Sequence, residues 1–185
     1  MASPTVGSFW VVEGRVLAGR YPGARFDGDT GSTLEALLEA GVRTFVDLTE
    51  EGKLPPYTHA LPEGVAHSRI AIEDMACLAH AQVREALDRI DAGRDRGVVY
   101  VHCRGGCGRT GVIVGCYLVR LGEAPPRALE RVYELTRVLG ENPCPETHGQ
   151  RALVETWAED SWSGPRLADG SRAPPTGSAP RPADG

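Results

Sequence analysis

The stretch VVYVHCRGGCGRTGVIVG, residues 98–115, decides the fold. One apolar run ends at Val101, a second begins at Val112, and Gly105, Gly106, Gly108 and Gly111 stand between them. Each glycine would weaken a regular element by about 0.5–1 kcal/mol relative to alanine, so this density makes sense only where backbone shape matters more than stiffness. A strand that stops, a loop of small residues and a helix that starts bring several backbone N–H groups toward one point. The first amides of a helix lack intrahelical partners, and the macrodipole adds positive charge there. Glycines let the chain close around an anion without Cβ collisions, so the stretch predicts a phosphate-sized cup. A plain tight strand-to-helix turn would use the same glycines, and the side chains held in the loop decide between the two.

Those side chains are reactive. Cys103 falls at the bottom of the cup, where loop amides and the helix dipole favour a thiolate. Arg109 closes the loop with a planar fork able to hold two phosphate oxygens. Thr110 places a hydroxyl near the sulfur, where it can assist departure of the thiolate. His102 reads as a group hydrogen-bonding the loop rather than as a general base. Arg104, Gly105, Gly106, Cys107, Gly108 and Arg109 form the expected substrate-binding rim. The chemistry implied is attack of sulfur on phosphorus, giving a cysteinyl-phosphate that water then clears.

The rest of the chain sets bounds. Its 185 residues, 41% hydrophobic and 24% charged, suit one domain with a substantial core. No apolar run is long enough to span a membrane, and the opening MASPTVGSFW lacks the character of a secretory signal. Five cysteines without disulfide-like spacing point to a reducing, cytoplasmic setting. Neither CxxC nor HExxH occurs, so no metal or other cofactor is expected. A net charge of -5 argues against nucleic acid as a partner. The basic residues are almost all arginine, Lys53 being the one lysine.

Strands and helices alternate along the sequence. FWVV and RVLAGRYPG read as two strands ending in a turn at Pro22 and Gly23. A helix is expected from Thr33 to Ala40, with Ser32 and Glu35 as a capping box and Gly41 at the stop. VRTFVDL reads as a buried strand, VAHSRIAI as a strand, EDMACLAH as a loop, and AQVREALDRIDAG as a helix with a stripe at Val83, Leu87 and Ile90. TGVIVGCYLVRLG reads as a buried helix and PPRALERVYELTRVLG as an amphipathic one with Pro126 in its first turn. The last helix is expected over residues 146–157. From Ser163 the composition collapses to Gly, Pro, Ala, Ser and Asp, which divides the chain into a domain at 1–162 and a disordered tail at 163–185. The class is α/β, one domain with a mainly parallel central sheet flanked by helices, and residues 103–109 lie at the carboxyl ends of its strands.

HCRGGCGRTG, residues 102–111, resembles the HCxxGxxR[ST] signature of cysteine-dependent protein tyrosine and dual-specificity phosphatases. His102, Cys103, Gly106, Arg109 and Thr110 match it. The GRVLAGRYPG opening and GVRTFVDL are most similar to compact members, of the kind found as bacterial relatives of the cyclin-dependent kinase-associated phosphatase. The resemblance spans about residues 8–160. It implies a phosphotyrosine-phosphatase-like fold and hydrolysis of phosphotyrosine, and also of phosphoserine or phosphothreonine, on proteins. A non-protein ester such as a phosphoinositide, sugar or nucleotide phosphate, or a non-hydrolytic phosphate-binding module, stands as the alternative.

The resemblance also calls for a general acid. The family places it in a Pro-Ile-x-Asp-x-x-x-Pro pattern, whereas this chain reads AIEDMACL, keeping Ile72 and Asp74 without the prolines. Asp74 is the expected acid and Glu73 the reserve. PETHGQRALVETW resembles the late family segment whose glutamine faces the phosphate loop, so Gln150 either positions the hydrolytic water or is a solvated helix residue. Cys107 is either a small packed side chain or a partner that traps oxidised Cys103 as a disulfide, with Cys77 as a rival for that role. Cys116 reads as core.

Overall fold

The computed structural model describes residues 2–23, 30–140 and 142–158. The opening strands are Ser8–Val12 (β1) and Val16–Gly19 (β2), followed by helix Thr30–Glu39 (α1), strand Val42–Asp47 (β3) and strand Ala66–Arg69 (β4). Helix His80–Gly93 (α2) leads to strand Val98–His102 (β5), and helices Gly108–Arg120 (α3), Pro125–Thr136 (α4) and His148–Glu155 (α5) complete the domain. The sheet order is β1-β2-β5-β3-β4. Only the β1–β2 pair is antiparallel, so the mainly parallel α/β arrangement is as expected.

Side chains alternate across the sheet, and the two faces build two cores. Val16, Ala18, Val46, Val99 and Val101 point to the face covered by helices α2 to α5. Leu17, Phe45, Val98 and Tyr100 point to the opposite face, where Leu34 and Leu37 of α1 pack with Tyr57. β5 lies in the middle, hydrogen-bonded to β2 on one side and β3 on the other, and all five of its residues are buried. The phosphate-cup stretch therefore leaves the sheet at its most constrained point.

Three boundaries differ from the sequence reading. α1 begins at Thr30, which places Ser32 inside the helix rather than at a capping box, while Gly41 does follow its end with φ +90°. β4 stops at Arg69, because Ile70 and Ile72 leave the sheet to join the core beneath the following loop. α5 is His148–Glu155, shorter than residues 146–157, since Thr147 and Gln150 form a reciprocal capping box that fixes its start. The proposed tail at 163–185 lies outside the described residues. Among the described residues no helix is long and apolar enough to cross a membrane.

α3 and α5 approach closely at Gly115, where an added Cβ would come within 2.6 Å of Val154 Cγ1. Gly115→Ala should destabilise the domain by about 1–3 kcal/mol through overpacking, read from the midpoint of urea unfolding.

Candidate active site

The loop from Cys103 to Arg109 joins β5 to α3 and is held by its own carbonyls. His102 O accepts from Leu48 N–H at 2.9 Å, and Arg104 O accepts from Tyr21 N–H at 3.3 Å. These contacts engage the carbonyls on either side of Cys103. Gly106 N–H donates toward Cys103 Sγ at 3.3 Å. Gly106 sits at φ +76°, and a Cβ there would lie 2.6 Å from the carbonyl carbon of Gly19, so both conformation and space require glycine.

Cys103 is 2% exposed and Arg109 is 3% exposed. One terminal nitrogen of Arg109 donates to Ile72 O at 2.8 Å and to Leu48 O at 3.4 Å. The other pairs with Asp74 Oδ1 at 2.8 Å. Arg109 Nε and Thr110 Oγ1 are buried and have no hydrogen-bond partner among the described residues. A buried guanidinium tied along one edge, with a donor left over, suits the planar recognition of a tetrahedral anion. Asp74 is half exposed and stands in a loop whose next residue, Met75, has φ +62°. Glu73 is exposed and forms no ion pair among the described residues.

Below the loop lies a polar network that sequence reasoning did not assemble. Asp47, fully buried at the end of β3, accepts from Thr49 N–H and Oγ1–H at 2.8 and 2.6 Å and pairs with Arg69 at 2.9 Å and His67 at 3.3 Å. Burial alone would raise its carboxyl, but the hydrogen bonds from His67 and Thr49 more than offset this and hold it well below the usual carboxylate range. Asp47 is thus held within the fold by these partners. His102 Nε2 lies 2.7 Å from the Tyr57 hydroxyl. Burial pushes the Tyr57 phenol far up, so it stays protonated, while His102 Nδ1 lies 3.9 Å from Asp47 Oδ1 and has no hydrogen-bond partner among the described residues. Desolvation lowers His102 to about 4, against the opposing pull of Asp47, so the ring is neutral near pH 7. The one sequence signal for this network was a carboxylate closing the apolar run VRTFVDL.

Gln150 is fully buried. Its Oε1 accepts from Glu146 N–H and Thr147 N–H, and its Nε2 donates to Ala76 O at 3.1 Å. A Cβ on Gly108 would lie 3.1 Å from Gln150 Oε1, so the amide abuts the phosphate loop and also ties α5 to the segment carrying Asp74. The solvated alternative is therefore wrong for Gln150.

The cysteines differ from expectation. Cys107 forms a disulfide with Cys144, with Cα atoms 5.0 Å apart. No spacing rule announces a bond between residues 37 apart; it arises because the segment between α4 and α5 folds over the loop. Cys107 is thereby engaged and is not a free partner for Cys103 in this state. Cys77 is free and exposed, with its Sγ near Gly149 O, while Cys116 is buried in the core.

Over the loop opens a pocket of about 280 Å³, bordered by Thr49, Glu50, Lys53, Leu54, Asp74, Arg104 and Arg109. A larger cavity of about 790 Å³ lies between α1 and the segment before β4. It borders no residue of the cysteine loop, whereas the smaller one borders Arg104 and Arg109. Among the described residues no cluster of His, Cys, Asp and Glu could hold a metal ion.

This architecture defines a phosphatase domain of the cysteine-loop kind. Residues 7–155 match the family described as "PTP-SAK: Swiss Army Knife protein, DSP-PTPase phosphatase domain", and the chain belongs to that family. It is 36% identical over 56 residues to the tyrosine-protein phosphatase CDC14 homolog of Schizosaccharomyces pombe, covering 30% of this chain and 10% of that protein. It is 34% identical over 92 residues to the tyrosine-protein phosphatase cdcA of Emericella nidulans, covering 48% and 15%. The chain thus spans only a small part of the length of these curated relatives. In fold it is similar to Tk-PTP in the active form, at TM-score 0.64 and 24% identity, covering 80% of this chain and 94% of that one. P. aeruginosa TpbA in complex with pTyr gives TM-score 0.62 and 18% identity over 84% and 87% of the two chains. Kinase associated phosphatase gives 0.64 and 16% over 81% and 91%.

Two outcomes are expected. His102 is depressed in the folded state relative to about 6.5 when unfolded, so its contribution is complete above pH 6.5 and is lost as pH falls toward 4. The unfolding free energy should drop by roughly 3 kcal/mol across that interval, with a flatter profile in His102→Gln. Cys144→Ser, which removes the tether on Cys107, should destabilise the protein by about 2–4 kcal/mol in denaturant titrations without reductant, and reduction of the wild type should shift it the same way.

Proposed function

We propose that this chain hydrolyses phosphomonoesters through a cysteinyl-phosphate on Cys103, acting on phosphotyrosine, and also on phosphoserine or phosphothreonine, in proteins. The observation that carries the reading is the loop itself: a buried thiol facing a loop amide, six residues before a buried arginine that pairs with a carboxylate from another loop. The amides from Arg104 to Gly108 and the Arg109 fork hold the phosphoryl oxygens. Sulfur displaces the alkoxide or phenolate, which takes its proton from Asp74. Thr110 stabilises the thiolate when it leaves, and Gln150 orients the water that attacks phosphorus in the second step. His102 supports the loop through its neutral ring.

A non-protein phosphoester is the second reading. Among the described residues Leu54 is the only apolar one bordering the pocket, and a charged lining favours a polar substrate body over an aromatic ring. The excess of acidic residues supports the absence of a nucleic-acid partner. A cytoplasmic location belongs to the same proposal, and the Cys107–Cys144 bond is the observation against it, since disulfides persist in oxidising settings.

Hydrolysis of p-nitrophenyl phosphate and phosphotyrosine in EDTA tests the mechanism. Cys103→Ser should abolish turnover while retaining phosphate or vanadate binding. Asp74→Asn should lower kcat by about 10²–10⁴-fold on phosphotyrosine. The loss should be smaller on p-nitrophenyl phosphate, whose leaving group is the weaker base. A full loss in Glu73→Gln instead would transfer the acid role to Glu73.

A further inference from the structure

The segment from Thr49 to Tyr57 forms one wall of the pocket and is pinned at both ends. Thr49 is bound by Asp47 through its amide and its hydroxyl. At the other end Tyr21 O–H donates to Pro55 O, and buried Tyr57 bonds His102 beneath the phosphate loop. Gly52, at φ +72°, turns the chain, and half-buried Leu54 packs against the core of the α1 face. The wall is thus built on the same residues that support the nucleophile's loop, and it places Lys53 at the pocket.

Lys53 is the single lysine among 20 basic residues. Arg104, the first residue after Cys103, borders the same pocket. Arg69, Arg109, Arg120, Arg127 and Arg131 each pair with a carboxylate. Lys53 and Arg104 form no ion pair among the described residues. Arg109 is balanced by Asp74, which leaves Glu50 as the only other acid bordering the pocket among the described residues. Two unpaired cations against one carboxylate leave positive charge beyond what the phosphate cup itself supplies, within a concave site where fields are concentrated.

We infer that Lys53 and Arg104 form a second anion subsite, so that the preferred substrate is a phosphomonoester carrying a further phosphate or carboxylate beside the scissile group. This rests on the phosphatase reading above and deepens it. Lys53 is a specificity residue: its ammonium meets the additional anion and does not touch the reacting phosphorus. The recognised chemistry is shared by an acidic phosphopeptide and a small bisphosphate, and the two sources are separated by experiment.

The test compares paired substrates differing in one anionic group. One pair is a phosphotyrosyl peptide with glutamate beside the phosphotyrosine against the same peptide with glutamine. The other is a hexose bisphosphate against the corresponding monophosphate. For each pair the ratio of kcat/KM is measured in the full chain, and the ratio of affinities is measured by calorimetry in Cys103→Ser, which cannot turn over. In at least one pair the doubly anionic member should be favoured by about tenfold, and that pair identifies the source. Lys53→Glu should bring the ratio to near one, Glu50→Gln should raise it, and Arg89→Glu, on α2 outside the pocket, should leave it in place. Ratios near one in both wild-type pairs would overturn the subsite, as would a preference equally sensitive to Arg89→Glu. Turnover without any such ratio would sink the subsite alone. Lack of turnover with retained binding ratios would instead remove the hydrolytic reading and leave the subsite standing.

Discussion

The contact on which the site depends is the approach of Gly106 to the backbone of Gly19. No side chain fits between them, and Gly106 takes a left-handed conformation that L side chains rarely adopt. That approach lets the loop curl tightly enough for a loop amide to face Cys103 Sγ, while Tyr21 and Leu48 engage the carbonyls on either side of Cys103. β2 and β3 flank β5 and supply these contacts, so the parallel sheet is the frame that shapes the cup.

Beneath the cup, buried polar groups have been settled by pairing rather than avoided. Asp47 keeps its charge because His67, Arg69 and Thr49 satisfy it. His102 gives up its charge because burial costs more than the distant carboxylate returns. A neutral imidazole hydrogen-bonded to the Tyr57 hydroxyl places an uncharged group directly before Cys103, and the same tyrosine ends the wall that presents Lys53. Support of the Cys103 loop and shaping of the pocket therefore share their residues.

The Cys107–Cys144 bond adds a covalent link between the phosphate loop and the segment leading to α5. That segment also holds Gln150 in a cap, and Gln150 in turn binds Ala76, next but one to Asp74. Three stretches far apart in sequence are thus joined around the anion site. The cysteine count could not reveal this, because pairing depends on where the path between α4 and α5 falls.

By itself the sequence determined what is local. The glycine-rich stretch between apolar runs, the Cys103–Arg109 spacing and the alternation of strands and helices follow from backbone sterics and hydrophobic period, which act over a few residues. The family-like spacing singled out Asp74 even without the flanking prolines, but its pairing with Arg109 came from the fold. Tertiary structure alone decided which distant groups meet: Tyr57 under His102, Cys144 on Cys107, and Lys53 at the same pocket as Arg104. The physical reason is that hydrogen bonds, disulfides and charge pairing depend on distances of a few ångströms in space. Residues tens of positions apart acquire such distances only when the sheet order and the helix packing fix them.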